Sequence, residues 1–286
     1  MTFWRAQQRA REAGGKLIFR IEDLDRDRCR KEFADAISED LRWFGIGWHE
    51  GPDIGGPFIS YVQSERRRYY LEALEKLRAG GYVYPCNCSR KDVMQASLAP
   101  HDENEEPIYP GTCRPRGPVV EAAVPGAVVA AAVSAAEMDL PPATVAAPNA
   151  IATNWRFRVP DDERIDFLDE RVGRQSAVAG RDFGDFLVWR RDDVPAYQLA
   201  VVVDDAAMQV SEVVRGEDLL MSTFRQLLLY RALGLSPPKF YHAPLILDKS
   251  GKRLAKRHGT LSLRALRQSG ATTAEELRSF YCNRGR

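Results

Sequence analysis

The stretch AYQLAVVVDDAAMQVSEVVRGEDLL, residues 196–220, carries the clearest pattern in the chain. An apolar run, YQLAVVV, ends at the aspartate pair that begins with Asp204, and a second run, QVSEVV, leads to Arg215. Short runs rich in Val that are bounded by polar residues or glycine are typical of buried strands. The pattern therefore predicts a strand that opens at Tyr197, a second strand that leads to Arg215, and a helix from Glu217, whose acidic first turn suits the helix dipole.

Upstream of this stretch, the sequence predicts three helices and one strand. A helix over residues 2–13 ends at Gly14, and the alternating stretch KLIFRIED, residues 16–23, is typical of a buried strand. Another helix begins at Ser64 and ends at the glycine pair 80–81. Between them, four apolar residues at helical spacing predict a helix with one face in the core: Phe33, Ile37, Leu41 and Phe44.

Downstream of this stretch, FYHAPLIL, residues 240–247, reads as a buried strand, and LSLRALRQSG, residues 261–270, reads as a short helix. A capping box from Thr273 to Glu276 opens the last helix. Strands that alternate with helices in this way predict an α/β fold.

The middle of the chain breaks this alternation. From Tyr82 to about Asn154 the sequence has little helical period and ends in an Ala/Val/Pro tract. The chain is therefore predicted to divide into three parts: a first part of the catalytic domain at 1–81, an inserted subdomain at 82–154 with a flexible segment at 117–150, and a second part at 155–286.

Net charge, apolar stretches and cysteine content predict the cellular compartment of the protein. The formal net charge is +1, so a polyanion would have to be bound by local basic patches. The most apolar stretch, residues 124–136, is too short to span a bilayer. The chain has no signal peptide and an odd number of cysteines: Cys29, Cys86, Cys88, Cys113 and Cys282. The sequence therefore predicts a soluble protein of the reducing cytoplasm without a disulfide framework.

The basic loop LDKSGKRLAKRHG, residues 247–259, follows a predicted strand. A cationic loop at the C-terminal edge of a sheet is a common way to present charge to phosphate. Lys256 is therefore a candidate to neutralise charge on a transferred phosphate, although Lys252 and Arg253 would serve equally well on charge alone. A solvated basic surface is the alternative interpretation.

Three residues outside the loop are candidates for contact with a small substrate. Glu22 stands at the end of a predicted strand, where α/β sheets bind ligands, and could hold a substrate ammonium. A helix cap or a surface ion pair is an equally supported role. Arg215 could form a bidentate ion pair with a substrate carboxylate. Tyr197, taken alone, is more typical of a core residue.

Two short motifs in the predicted insert suggest a metal site. Cys86 and Cys88 form a C-x-C pair, and Tyr109 and Cys113 form a Y-x-x-x-C pair across a polar loop. Three thiolates and one oxygen donor could close a tetrahedral site around zinc, and a loop-rich insert would gain stability from such a metal. From spacing alone, free thiols in a loop are an equal alternative.

Taken together, the motifs resemble one enzyme family. RIEDLDRDR, the two metal motifs, GDFLVWRRDDVPAYQLAVVVDD, VVRGEDLL and GKRLAKR occur in the order seen in glutamyl-tRNA synthetase-like enzymes of class I, over nearly all of the chain except 117–150. The resemblance implies a Rossmann-like domain with a parallel sheet, flanking helices and an inserted zinc-binding subdomain. It also implies that ATP with Mg²⁺, L-glutamate and tRNA are the partners of a monomeric ligase.

The resemblance also assigns roles to the candidate residues. It implies that Glu22, Tyr197 and Arg215 contact glutamate, and that Lys256 is the catalytic and ATP-binding lysine of a loop resembling the K-M-S-K-S signature. One structural Zn²⁺ per chain is implied at four ligands: Cys86, Cys88, Tyr109 and Cys113. Ala255 departs from the signature, because family members usually have Ser at that position.

More narrowly, the chain resembles the glutamyl-Q tRNA(Asp) synthetases, a shortened branch that lacks an anticodon-binding domain and transfers glutamate to the queuosine base of tRNA(Asp). A glutamyl-tRNA synthetase cut at both ends, which charges tRNA(Glu), is one alternative. The sequence begins within the helix that should follow the first strand and its H-I-G-H-like nucleotide loop. Poor ATP binding is therefore expected, and an inactive paralogue that binds RNA or protein is a second alternative.

Overall fold

The structure is a computed structural model. It describes residues 2–25, 29–58, 60–89, 91–93, 108–117, 151–245, 263–270 and 273–283. The basic loop at 247–259, with Lys256, lies outside the described residues, as does nearly all of the predicted flexible segment at 117–150.

Helices make up much of the described chain. The α-helices are α1 (Thr2–Glu12), α2 (Lys31–Trp43), α3 (Arg67–Ala79), α4 (Tyr197–Ala207), α5 (Leu220–Leu233), α6 (Leu263–Ser269) and α7 (Ala274–Asn283). Short 3-10 turns at Gln63–Glu65 and Glu217–Leu219 precede α3 and α5. The predicted helix ends are confirmed at α1 and α3, where Gly14 and Gly81 have φ of 61° and 70°. Only glycine adopts this left-handed conformation at little cost.

The strands form two sheets in the described part of the chain. Their bounds are β1 (Val83–Cys86), β2 (Asn154–Phe157), β3 (Arg164–Asp169), β4 (Gly173–Val178), β5 (Phe186–Trp189), β6 (Glu212–Gly216) and β7 (Lys239–Ala243). One sheet has the order β1-β2-β5 and is antiparallel. The other has the order β4-β3-β7-β6, in which β7 pairs parallel with β3 and β6, and β3 pairs antiparallel with β4. The second sheet is thus mixed, so the parallel sheet that the resemblance implies is observed only in part in the described residues.

The sequence interpretation of YQLAVVV as a strand is wrong. These residues begin α4, and Asp204 lies inside the helix instead of ending the run. The run has no helical period because α4 is buried on nearly every side, so apolar residues occupy all of its faces. α4 packs with α3 and α5 in the larger core, which also contains residues of both sheets.

The stretch 16–23 is extended but does not form a regular strand. It pairs with its neighbours through isolated parallel bridges, Ile18 to Glu50 and Ile21 to Val62. Its Phe19 joins a smaller core with Leu41 of α2. Whether a further strand precedes this stretch, as the resemblance implies, stays a prediction.

The predicted core face of α2 is only half correct. Leu41 and Phe44 are buried, but Phe33 and Ile37 remain 51% and 49% exposed. These two side chains border an open cleft rather than a packed neighbour.

The capping box at the start of α7 is confirmed. The backbone N–H of Thr273 donates to the carboxylate of Glu276 at 2.8 Å, and the N–H of Glu276 donates to Oγ1 of Thr273 at 3.2 Å. The division of the chain at 81 and 154 stays a prediction, although β2 begins at Asn154 and pairs with β1. Among the described helices, none has the length and apolar character that a membrane crossing requires.

Candidate functional site

An open cleft of about 2060 Å³ lies between α1, the extended stretch 16–23, one side of α2 and the strand β6. Three of the predicted site residues, Glu22, Tyr197 and Arg215, border this cleft. Residues that are far apart in the sequence therefore line the same cleft. The fourth, Lys256, lies outside the described residues.

Arg215 is held firmly on the inner wall of the cleft. It lies on β6, is 7% exposed, and its guanidinium carbon is 5.2 Å from the centre of the Phe240 ring. Its three nitrogens donate to separate buried acceptors: Nε to His242 Nε2 at 3.1 Å, Nη1 to Gln226 Oε1 at 2.8 Å, and Nη2 to Thr223 Oγ1 at 2.5 Å. A guanidinium has five N–H donors, so two remain for other partners.

Behind Arg215, an aspartate orients the histidine that receives its Nε–H. His242 Nδ1 lies 2.6 Å from Asp169 Oδ2, and both side chains are fully buried. Burial lowers the pKa of His242, and the cation of Arg215 lowers it further, although Asp169 acts in the opposite direction. The imidazole is therefore neutral at pH 7, with its proton on Nδ1.

Tyr197 begins α4 at the mouth of the cleft and is 38% exposed, contrary to the core role expected for it alone. Desolvation raises the pKa of its phenol, while the nearby cation of Arg215 lowers that pKa. The net shift is upward, so Tyr197 stays protonated and can donate or accept a hydrogen bond.

Glu22 faces the cleft with a side chain that is 42% exposed. Its Oε1 receives a hydrogen bond of 2.9 Å from Arg20, whose other terminal nitrogen donates to Asp205 at 2.8 Å. The ion pair predicted as one alternative for Glu22 therefore exists. The capping alternative is not observed, because the following helix α2 has Arg30 at its N-cap without a side-chain capping hydrogen bond. The neighbouring Asp23 instead accepts hydrogen bonds from the backbone N–H and the hydroxyl of Ser64, in the 3-10 turn before α3.

The polar groups around the cleft are of both signs. Burial raises the pKa of Asp205, although the nearby cation of Arg20 acts in the opposite direction. Arg215 offers donors to a carboxylate, and the exposed Glu22 offers an acceptor to an ammonium. The cleft can therefore bind a small molecule that carries both groups.

The four predicted metal ligands meet at one point beside β1, away from this cleft. The sulfur atoms of Cys86, Cys88 and Cys113 lie within 4.8 Å of one another. The Tyr109 hydroxyl lies 3.5 Å from the sulfurs of both Cys86 and Cys88. The predicted clustering is confirmed for these side chains.

The donor set fits a soft divalent cation. Hydrogen bonding from the backbone of Asn87 lowers the pKa of the Cys113 thiol to about 7, so this thiol ionises readily. Burial raises the pKa of Tyr109, which therefore remains a neutral phenol when no metal is present. Sulfur ligands in a compact set of four suit Zn²⁺.

Comparison with known proteins gives the family of the chain. The family model described as tRNA synthetases class I (E and Q), catalytic domain, matches residues 3–115 and 147–285. A glutamyl-Q tRNA(Asp) synthetase of Symbiobacterium thermophilum is 47% identical over 92% of this chain and 74% of its own length. A protein of the same name from Nitratidesulfovibrio vulgaris is 45% identical, over 96% of this chain and 76% of its own length.

A solved structure agrees with this result. The crystal structure of a glutamate tRNA ligase from Elizabethkingia meningosepticum, in complex with its amino acid, superposes with a TM-score of 0.67 at 29% identity. The match covers 90% of this chain, which spans 48% of that ligase. Because the family model covers both the extended stretch that carries Glu22 and the strand that carries Arg215, the chain belongs to the class I tRNA synthetase family, in the branch specific for E and Q, as its catalytic domain.

Proposed function

We propose that this chain activates L-glutamate with ATP and transfers the glutamyl group to tRNA, at the queuosine base of tRNA(Asp). The support is the shared cleft of Glu22, Tyr197 and Arg215. The planar guanidinium of Arg215 is fixed by three hydrogen bonds, so it offers a rigid partner to the side-chain carboxylate of glutamate. Glu22 is the partner of the α-ammonium, and the hydroxyl of Tyr197 adds a hydrogen bond between them.

The proposed reaction has two steps. The α-carboxylate of glutamate attacks the α-phosphorus of ATP in line, the bond from that phosphorus to the bridging oxygen breaks, and pyrophosphate leaves. A hydroxyl of the tRNA then attacks the carbonyl carbon of the glutamyl-adenylate, loses its proton, and AMP leaves. Mg²⁺ bound with ATP neutralises phosphate charge, and Lys256 is proposed to do the same from the basic loop.

Arg215 and Glu22 have separate roles in this proposal. Arg215 and Glu22 hold the substrate at its two ends, so that the α-carboxylate is left to face the nucleotide. A site built around a buried guanidinium also rejects glutamine, because the uncharged amide cannot pair with the charge. Discrimination between glutamate and glutamine is therefore assigned to Arg215.

Exchange of labelled pyrophosphate into ATP tests the first step. Because the sequence predicts weak ATP binding, exchange is measured at high ATP concentration. Exchange that depends on glutamate, and that glutamine and aspartate do not support, is the expected result without any tRNA. Labelled glutamate should then reach tRNA(Asp) that contains queuosine and not the same tRNA with guanosine at that position. Charging of tRNA(Glu), with exchange only when tRNA is present, would instead favour an ordinary glutamate–tRNA ligase.

The names of two relatives support the narrower acceptor. Both glutamyl-Q tRNA(Asp) synthetases are matched over about three quarters of their length, whereas a glutamate–tRNA ligase of Heliobacterium modesticaldum is matched over 48%. A binding-only paralogue is the second candidate. Glutamate binding without exchange or transfer would favour that candidate.

We also infer that Cys86, Cys88, Tyr109 and Cys113 hold one structural Zn²⁺. The support is the mutual approach of the sulfur atoms and of the phenol oxygen. Because the four donors would fill a tetrahedral shell and none of them borders the cleft, the metal is assigned a structural role. Metal analysis of the purified protein tests the inference, and about one equivalent is expected.

A further inference from the structure

Arg156 on β2 has surroundings that are unusual for a buried cation. Arg156 is only 7% exposed, and its guanidinium carbon lies 3.9 Å from the centre of the Tyr109 ring. Nε donates a hydrogen bond to the sulfur of Cys86 at 3.2 Å, and Nη1 donates to the backbone oxygen of Asp185 at 3.3 Å. None of these partners carries a full negative charge unless the sulfur is ionised.

A carboxylate does not supply the missing charge. In the part of the chain that the structure describes, no carboxylate oxygen lies within 4.0 Å of the guanidinium nitrogens of Arg156. The carboxylate of Asp185 is engaged elsewhere, since it accepts hydrogen bonds from Tyr84 at 2.6 Å and from the N–H of Val159 at 2.9 Å. Its Oδ1 also lies 3.6 Å from a nitrogen of Arg114.

An uncompensated charge in this position would be costly. Removal of an ion from water into the interior costs several kcal/mol, so buried guanidinium groups are found with counter-charges. The sulfur of Cys86, itself 1% exposed, is the contact that can become anionic. Of its contacts in the described residues, the sulfur of Cys86 is therefore the one through which Arg156 can meet a negative charge when a metal is bound.

The charges of a filled metal site would match this requirement. Three thiolates and one divalent cation leave a single negative charge when Tyr109 binds as a neutral phenol. One guanidinium cancels it, and the cluster, in which Cys86 and Tyr109 are buried and Cys88 and Cys113 half-buried, is then neutral. Without Arg156 the filled site would be a partly buried anion.

We propose that Arg156 is the counter-charge of this site and the positioning residue for Cys86. It stabilises the thiolate through the Nε–H bond, and its plane packs on the ring of Tyr109, so that one side chain orients two of the four ligands. The proposal rests on the metal site proposed above, and it adds a residue that contacts ligands without binding the metal.

Metal affinity tests the proposal directly. Apo-protein is titrated with Zn²⁺ against a chromogenic chelator, and Co²⁺ absorption reports the number of bound thiolates. Arg156→Met should lower Zn²⁺ affinity on the order of 10- to 100-fold, the usual effect of removing a group that supports metal ligands. Arg158→Met is the matched control, because Arg158 is two residues further along and donates to the backbone oxygen of Gly117 instead. It should change the affinity less than about threefold, far below the range for such groups.

Two results would overturn the proposal and are distinguishable. Wild-type protein that binds no Zn²⁺ would remove the metal site and, with it, this role of Arg156. Normal Zn²⁺ affinity in Arg156→Met would remove the role and leave the metal site intact.

Thermal unfolding gives a second test that does not depend on the affinity of one variant. Cys86→Ser leaves the guanidinium without its thiolate, so Arg156→Met should raise the melting temperature in the Cys86→Ser background. In the wild-type background the same change should lower it. A decrease in both backgrounds would show that Arg156 acts only through packing, and would overturn the proposal.

Discussion

Arg215 and His242 are joined by a hydrogen bond of 3.1 Å between Nε of the arginine and Nε2 of the histidine. Because arginine can only donate, His242 must accept, and this requires a neutral ring whose proton lies on Nδ1 toward Asp169. A protonated His242 would place an N–H opposite the N–H of Arg215. The orientation of the residue proposed to bind glutamate thus depends on an uncharged histidine.

The first prediction concerns pH. The pKa of His242 is lowered in the folded protein, chiefly by burial. The unfolded chain therefore binds a proton at His242 at higher pH than the folded chain does. The free energy of unfolding should fall as pH drops below about 6.5, by up to ~1.4 kcal/mol per pH unit, until the lowered pKa of the folded state is reached.

Denaturant unfolding between pH 5 and 8 measures this effect. His242→Gln should flatten the slope below pH 6.5, because the titrating group is removed. Equal slopes in wild type and His242→Gln would contradict the prediction.

The second prediction concerns glutamate binding. Arg215→Lys keeps the charge but cannot donate to His242, Gln226 and Thr223 from one planar group. Loss of a fixed charged partner should raise the dissociation constant for L-glutamate on the order of 10- to 100-fold. Calorimetric titration measures it. Arg231→Lys, on an exposed pair with Glu163, should bind glutamate as wild type does.

Local signals in the sequence were sufficient for several elements. Glycines with left-handed backbone end α1 and α3 where they were predicted, and the Thr273–Glu276 box opens α7, because these features depend on residues within one turn. The strand interpretation of YQLAVVV was wrong because a helix buried on all sides shows no period. Only contacts with elements that are distant in the sequence distinguish a buried helix from a buried strand.

The residues behind the site could not be predicted from neighbours in sequence. Asp169 lies 73 positions from His242, and Thr223 lies 19 positions from it. The one local signal was a histidine within the apolar stretch FYHAPLIL, which suggests a satisfied polar group in a core strand. The roles given to Glu22, Tyr197 and Lys256 came from the family resemblance and stay proposals.

The third prediction concerns Asp204, which is fully buried in α4. Its carboxylate accepts hydrogen bonds from Arg66 at 2.6 Å, Gln63 at 2.9 Å and Tyr70 at 2.9 Å. Asp204→Asn removes the charge that balances Arg66, a residue only 2% exposed, and leaves that buried cation unpaired. The free energy of unfolding should fall by about 3 kcal/mol or more.

A matched change at the surface controls for this effect. Asp35 forms an exposed pair with Lys31 within α2, and Asp35→Asn should cost less than about 0.5 kcal/mol. Both variants remove one carboxylate, so urea unfolding at one pH compares burial alone. Similar losses in the two variants would show that the buried network contributes no more than a surface pair.

The last prediction concerns metal removal. If Cys86, Cys88, Tyr109 and Cys113 hold Zn²⁺, a strong chelator should release about one equivalent, and the loops that follow β1 and carry Cys88, Tyr109 and Cys113 should become more accessible to protease. Because the cleft residues lie on other elements, glutamate binding should change little. Less than about 0.2 equivalents in wild-type protein would count against the four-ligand site. Cys113→Ser should reduce the metal content, whereas Cys29→Ser should not, since Cys29 is exposed and lies outside the cluster.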